Sequence, residues 1–293
     1  MYKRLEKCPL CKSGHFHNEM IVQDHMVSQE KFAVCKCDNC EIMFTNPRPE
    51  RDNLAKYYES DAYISHTGKS YGLISPIYRL VRKYALRKKV KLVNRHAPKK
   101  ARLLDIGCGT GHFLKSIAHD GWQASGVEVN DQARNIAVNQ TPGIVYPSID
   151  KIPPKSKFEV ITMWHVLEHV DNLEKTIQQL KELLVTKGIL ILALPNSYSY
   201  DAQYYKEDWA GYDVPRHLYH FNRDAIKHLS SEYKLKWKET YPMIFDSFYV
   251  SMLSEKYRTG KPNYFKAFKT GLASNRNARK TKEYSSLIYV LKK

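Results

Sequence analysis

Residues 103–114 read LLDIGCGTGHFL, and this stretch restricts the fold more than any other. The apolar pair Leu103-Leu104 runs into Asp105. Gly107, Gly109 and Gly111 follow on alternate positions, and a helical pattern opens at His112. A buried strand, a tight glycine loop and a helix N-terminus in that order form the crevice in which α/β proteins hold nucleotide-like ligands. The acid beside the loop selects among them. A pyrophosphate would be repelled by Asp105, whereas the sulfonium and ammonium groups of S-adenosylmethionine suit a carboxylate. The spacing agrees, because a dinucleotide loop needs its third glycine one position later, where His112 stands.

The following sequence repeats the strand–helix alternation. Gln123 to Val129 reads as a second strand ending at Glu128, 23 residues beyond Asp105, where an acid takes a ribose diol. Helix Asp131 to Asn139, a short strand at Ile144-Val145 and a strand from Phe158 to Met163 come next. A helix from Leu173 to Leu184 stops at Lys187-Gly188, and the apolar run Ile189 to Leu194 is a further buried strand. Leu235 to Thr240 and Ser247 to Leu253 read as closing antiparallel strands, after a helix capped by Asn222. The expected fold is a doubly wound, mostly parallel sheet. Asp105, Glu128, Ser148, His165 and Asn196 fall at its strand ends, where ligands bind.

Five of the six cysteines lie in the first forty residues. Cys8-Pro-Leu-Cys11 and Cys37-Asp-Asn-Cys40 form two CxxC knuckles, the spacing of a structural zinc site. Cys8, Cys11, Cys37 and Cys40 are the expected ligands, with Cys35, then His15 or His17, as substitutes. Four filled positions imply a folding role. The longest apolar run is too short to span a bilayer, and MYKRLEKCPL has no signal core. These features read as a cytoplasmic protein with reduced thiols.

The formal net charge is +17. From Arg79 to Arg102 there is no acid, and Ile77, Val81 and Tyr84, widened by Leu80, read as the apolar stripe of a basic amphipathic helix. Its positive face is either simply solvated or drawn to an anionic lipid, a glycan carrier or RNA. The lipid alternative extends the expected location to the periphery of the inner membrane surface.

Together, CPLC…CDNCEIMFTNPRP, LLDIGCGTGHFL, VEVN, FEVITMWHVLEHV, ILILALPN and DVPRHLYHF resemble the class I S-adenosylmethionine-dependent methyltransferases with an N-terminal Cys-rich zinc module. The resemblance implies a seven-stranded sheet. It assigns Asp105, Gly107 and Gly109 to the methionine part of the cofactor and Glu128 to the ribose; Cys108, Gly111, Val129, Ser148 and His165 complete the expected cofactor-binding set. The family often has an adenine-contacting acid after its third strand; here Ser148 stands there, with Asp150 two residues on. The implied organisation is a zinc module over 1–50, a helical linker or lid over 51–100, the cofactor domain over 101–255 and a basic C-terminal segment over 256–293.

The segment 197–221, SYSYDAQYYKEDWAGYDVPRHLYHF, follows the fifth strand and is dense in aromatics and histidine. It reads as an ordered wall that selects the substrate, with some aromatics serving the core. A hydroxyl or carbon acceptor must lose a proton, and histidine is the base best tuned near neutral pH. His165 and His217 are the first choices, then His220 and His169. The expected acceptor is a small molecule or a glycan or lipid-linked intermediate. RNA is the alternative substrate, and a non-catalytic cofactor-binding scaffold the alternative role. The basic tail from Lys256 to Lys282 reads as mobile or surface-bound, whereas the final YSSLIYVLKK is apolar enough to return to the fold. The acceptor atom and the oligomeric state are not written in the sequence.

Overall fold

A computed structural model of the chain describes residues 1–58, 76–97 and 99–293. In chain order it comprises strands β1 (Tyr2–Lys3), β2 (Phe16–Gln23), β3 (Lys31–Cys37), β4 (Met43–Thr45) and β5 (Arg48–Pro49), then helices α1 (Arg51–Leu54) and α2 (Pro76–His96). Next come β6 (Arg102–Ile106), α3 (His112–His119), β7 (Gln123–Val127), α4 (Asp131–Gln140), β8 (Val145–Tyr146), β9 (Phe158–Trp164), α5 (Leu173–Leu183) and β10 (Leu184–Pro195). The remainder is α6 (Tyr200–Tyr205), β11 (Tyr219–His220), α7 (Arg223–Glu232), β12 (Lys236–Pro242), α8 (Asp246–Thr259), α9 (Tyr264–Thr281) and β13 (Ser286–Lys292).

The central sheet has seven strands in the order β12-β13-β10-β9-β6-β7-β8. Numbered by their place in the chain and read from β8, the order is 3-2-1-4-5-7-6. Strands β6, β7 and β8 are parallel neighbours, as are β6 and β9. Leu190 to Leu194 on β10 are completely buried, as a strand covered on both faces must be. Each such Leu or Ile side chain contributes about 1.5–3 kcal/mol by leaving water. The order reverses between β6 and β9, and a doubly wound sheet opens its ligand crevice at that reversal.

The chain divides into two compact units. The first holds Met1–Ser60, Leu167–Thr176 and Ala193–Tyr289; the second holds Asp61–Val166, Ile177–Leu192 and Val290–Lys293. In the first, β2, β3 and β4 form an antiparallel sheet whose edge at β4 is completed by β11. The cysteine-bearing segment is thus joined by a strand from far along the chain. Val22, Phe32, Val34, Tyr57, Tyr205, Trp209 and Tyr212 share one core there.

Several expectations are corrected. Ser247 to Leu253 is not a strand but part of α8, and the tail read as mobile or surface-bound contains the 18-residue α9. Helix α5 stops at Leu183, so Lys187-Gly188 lies within β10. Among the described side chains of α2 the buried ones are Leu92 and Val93, whereas Leu80 and Tyr84 are exposed. The linker reading of 51–100 rests partly on Tyr63, Tyr71 and Ile77; the first two lie outside the described residues, as does the Ile77 side chain. The YSSLIYVLKK segment supplies β13, as expected.

Candidate active site and cysteine centre

The glycine loop joins β6 to α3, and its backbone shows why each glycine stands there. Gly107, Gly109 and Gly111 have φ of 67, 54 and 82°. Such left-handed values strain any residue with a Cβ. A Cβ on Gly107 would also meet Val166 Cγ2 at 2.5 Å, whereas one on Gly109 would meet nothing within 4 Å. Gly109 therefore faces open space. The Cys108 thiol is buried toward Gly126, where an added Cβ would lie 2.7 Å from it. Helix α3 follows because Phe113, Leu114 and Ile117 fall on one buried face.

Two carboxylates flank this loop. Glu128 stands just beyond β7 and reaches back to it: its Oε2 accepts the Gly109 N–H at 2.8 Å and its Oε1 accepts the Asn130 N–H at 2.9 Å. Each oxygen retains a second lone pair, so the carboxylate can still receive two hydroxyls. Val129, beside it, is exposed, and Asn130 caps α4 by accepting the Ala133 N–H at 3.0 Å. Asp105, near the end of β6, is 1% exposed. The parallel register sets Thr162 of β9 opposite it, and the Thr162 hydroxyl donates to Asp105 Oδ1 at 2.6 Å. Burial pushes the Asp105 carboxyl up to about 7, against the opposing pull of Thr162 and of the Lys89 ammonium. This carboxylate lies in a site that favours an added cation.

Helix α2 also serves this region. Lys89 Nζ lies 4.2 Å from the Trp164 ring centre, and Arg82 Nη1 meets His112 Nε2 at 3.2 Å. Lys89, Arg82 and Thr162 are contributors that the sequence reading missed. Basic charge marked the helix, but not which of its residues turn inward, and Thr162 is revealed only by strand register.

The other strand-end residues are more dispersed. His165 directly follows β9 with φ 58° and is half-buried. Ser148 is half-buried after β8; Asp150 accepts the Gln179 side chain at 2.7 Å. Asn196 belongs to the first unit and donates to Glu283 and to the Tyr284 carbonyl.

Within the first unit, the DVPRHLYHF segment forms a buried polar knot. Arg216 donates to Asp24 at 2.9 Å, to Asp213 at 2.7 Å and to the Tyr57 carbonyl at 2.9 Å. Burial raises the Asp24 carboxyl, but Arg216 and the Ser28 N–H outweigh it and hold it below its ordinary value. His217 Nδ1 faces the Gly211 carbonyl at 2.9 Å, so that nitrogen carries the proton. His169 Nδ1 faces the Arg216 carbonyl at 3.0 Å, and the two rings lie 4.5 Å apart, edge to face. Ligating atoms of Glu168, His169 and His217 come within 4.8 Å of one another. Burial, then the neighbouring His217, pushes His169 down to about 4. His220 pairs with Thr45 at 3.3 Å, and burial pushes it down to about 3. His220 therefore stays neutral inside the fold. The aromatics expected to form a substrate wall are instead largely core: Tyr205, Trp209, Tyr212 and Tyr219 are buried.

The four expected cysteines converge. Their sulfurs lie within 4.8 Å of one another, with Cys8–Cys40 at 3.6 Å and Cys11–Cys37 at 3.5 Å. A tetrahedral zinc at ~2.3 Å from each sulfur needs S···S edges of roughly 3.8 Å, so the cluster is compatible with zinc. The Cys40 thiol beside it holds Cys8 down at about 5, favouring thiolate. The substitutes lie elsewhere. Cys35 donates to Asn18 at 3.1 Å, His17 engages Asp38 at 2.7 Å, and His15 is exposed.

Comparison with known proteins places this geometry. The chain is 34% identical over 107 residues to the ubiquinone biosynthesis O-methyltransferase of Glaesserella parasuis serovar 5, covering 32% of this chain and 45% of that protein. It is 35% identical over 99 residues to the tRNA U34 carboxymethyltransferase of Ruthia magnifica subsp. Calyptogena magnifica, covering 31% of each. The chain thus spans half or less of the length of these curated relatives. Among solved structures, the magnesium protoporphyrin IX methyltransferase of Synechocystis PCC 6803, with bound S-adenosylhomocysteine, superposes with TM-score 0.55 at 13% identity, over 83% of this chain and 100% of that one. The 1,6-didemethyltoxoflavin-N1-methyltransferase of Burkholderia thailandensis gives 0.52 at 14% identity, over 93% and 99%. At these identities the likeness is one of fold. The profile of the methyltransferase domain matches residues 78–237, more than half of the chain, from α2 through the glycine loop into β12. The chain belongs to the methyltransferase-domain family.

Proposed function

We propose that this chain binds S-adenosylmethionine at the glycine loop and transfers its methyl group to a small molecule or a glycan or lipid-linked intermediate. The carrying observation is the pair of carboxylates around Gly109: Asp105, buried and in need of a cation, and Glu128, oriented by two backbone N–H groups. A related fold with S-adenosylhomocysteine bound supports the same choice of ligand. When bound, S-adenosylmethionine supplies an electrophilic methyl group on a sulfonium.

The chain's own residues then have three tasks. Asp105 favours the positive end of the cofactor through its field, in an interior where charges act strongly. Glu128 receives the ribose hydroxyls on its remaining lone pairs. His165, beyond β9 in the same unit as the loop, accepts the proton of the acceptor. Most of the acceleration comes from holding the acceptor in line with the methyl group. The four cysteines hold zinc in a closed structural site that supports the first unit.

The test is a methyl-labelled S-adenosylmethionine assay on fractionated cell extract, with wild type and Glu128→Gln. Label should appear in the small-molecule or glycolipid fraction and fall sharply with the variant. Label confined to RNA would give the substrate class to RNA. Cofactor binding with no transfer to any fraction would make the chain a non-catalytic scaffold.

A further inference from the structure

From Lys256 to Lys282 the chain carries nine basic residues and no acid. Most of this stretch is α9, whose buried residues are Ala267, Thr270, Gly271, Ser274 and Ala278. They occupy one side of the helix, packed on α8 with Phe248 against Gly271. A different side carries Tyr264, Phe265, Phe268 and Leu272, exposed by 67, 73, 55 and 48%. At ~100° per residue these four fall within an arc of about 100°, a continuous apolar stripe. The stripe is built firmly. Phe268 stacks on Phe248 at 5.4 Å, and Lys269 Nζ lies 5.1 Å from the Phe265 ring centre.

The surrounding charge narrows what this stripe fits. Lys261, Lys269, Arg276 and Arg279 are exposed beside it or further along the helix. Lys266 instead turns to the buried Glu255 at 3.4 Å. A protein or RNA partner has use for the cations, but four adjacent large apolar groups with a cationic border also match a bilayer interface. There, aromatic rings sit at headgroup level, and lysine or arginine meets lipid phosphate. No helix among the described residues is long and apolar enough to cross a membrane, so such a contact lies along the surface.

We propose that α9 is a membrane-docking helix: Tyr264, Phe265, Phe268 and Leu272 enter the headgroup layer of an anionic bilayer while Lys261, Lys269, Arg276 and Arg279 meet its lipid phosphates. This surface is distinct from the basic face of α2, and the proposal does not depend on methyl transfer.

Flotation of the whole chain with phosphatidylcholine vesicles, and with mixed phosphatidylcholine–phosphatidylglycerol vesicles, tests it. The wild type should float with the mixed vesicles and not with the neutral ones. Tyr264→Ser with Phe265→Ser changes two side chains that face solvent, and an unchanged thermal melt confirms the fold. That double variant should bind at least about tenfold more weakly. Lys261→Gln with Lys269→Gln should weaken binding at low salt by roughly 25-fold, about fivefold per charge. Three outcomes overturn the proposal: no flotation with anionic vesicles, equal flotation with neutral ones, or unchanged binding in both double variants, which would move the contact to α2. Binding of single-stranded RNA through these residues without vesicle binding would overturn the lipid assignment.

Discussion

Replacing Asp105 by Asn should stabilise the ligand-free protein while impairing its site. Asp105 is buried, and the Thr162 hydroxyl donates to its Oδ1. An Asn Oδ1 accepts the same bond, so the substitution removes charge with little change of shape. The carboxyl sits at 3.8 when free and is pushed by burial to about 7 in the fold. At ~1.4 kcal/mol per tenfold change in proton affinity, the ionised form costs the fold about 4 kcal/mol, an upper bound that relaxation reduces to about 2–4 kcal/mol. The sign follows from linkage. A raised carboxyl pKa means that the unfolded chain gives up its proton first. The penalty therefore grows as pH rises from about 4 to about 7, and is fully present above that. Asp105→Asn should raise Tm by about 4–8 °C near pH 8, at ~2 °C per kcal/mol for a chain of this size, with the gain fading toward pH 4. Differential scanning calorimetry of both proteins across that range measures it. A lower Tm for the variant near pH 8, or a gain independent of pH, would refute the electrostatic account of Asp105. Because a cation relieves the same penalty, S-adenosylmethionine should raise the Tm of the wild type more than that of the variant.

Other outcomes follow from the buried clusters. Metal analysis of Cys37→Ser should show the loss of about one zinc equivalent relative to wild type, whereas Cys35→Ser, whose thiol bonds Asn18, should retain it. Arg216→Met should destabilise the first unit by about 3–5 kcal/mol, because the buried Asp24 and the half-buried Asp213 would be left without their cation. Chemical denaturation near neutral pH checks this, and a cost below about 1 kcal/mol would show that the two carboxylates find other partners. Cofactor affinity should fall as pH drops below about 7, since protonating Asp105 removes the charge that favours the ligand. Titration at several pH values would show a flat profile if Asp105 stays ionised throughout.

The parts of this fold that sequence reveals are those in which side-chain polarity reports burial. Ile189 to Leu194 could only be a strand covered on both faces, and the glycines after Asp105 could only be a tight loop. The convergence of the four knuckle cysteines was equally legible, because their paired spacing brings the thiols together. Helices α8 and α9 were not. They bury Ser247, Ser251, Ser254, Thr270, Gly271 and Ser274. These small residues let helices approach closely but leave no hydrophobic period to read. The aromatic residues of 197–221 misled in the opposite direction. Tyr205, Trp209 and Tyr212 looked like a binding wall, yet they fill a core with Phe32 and Val34 from the N-terminal sheet. The Asp24–Arg216 pair spans 192 residues of sequence, and no local pattern foretells it.

Isothermal titration with S-adenosylmethionine, S-adenosylhomocysteine and NAD tests the central claim most directly. The account predicts that both sulfur ligands bind wild type, that Glu128→Gln binds each at least about tenfold more weakly through lost ribose hydrogen bonds, and that NAD gives no heat. Binding of NAD without S-adenosylmethionine would contradict it.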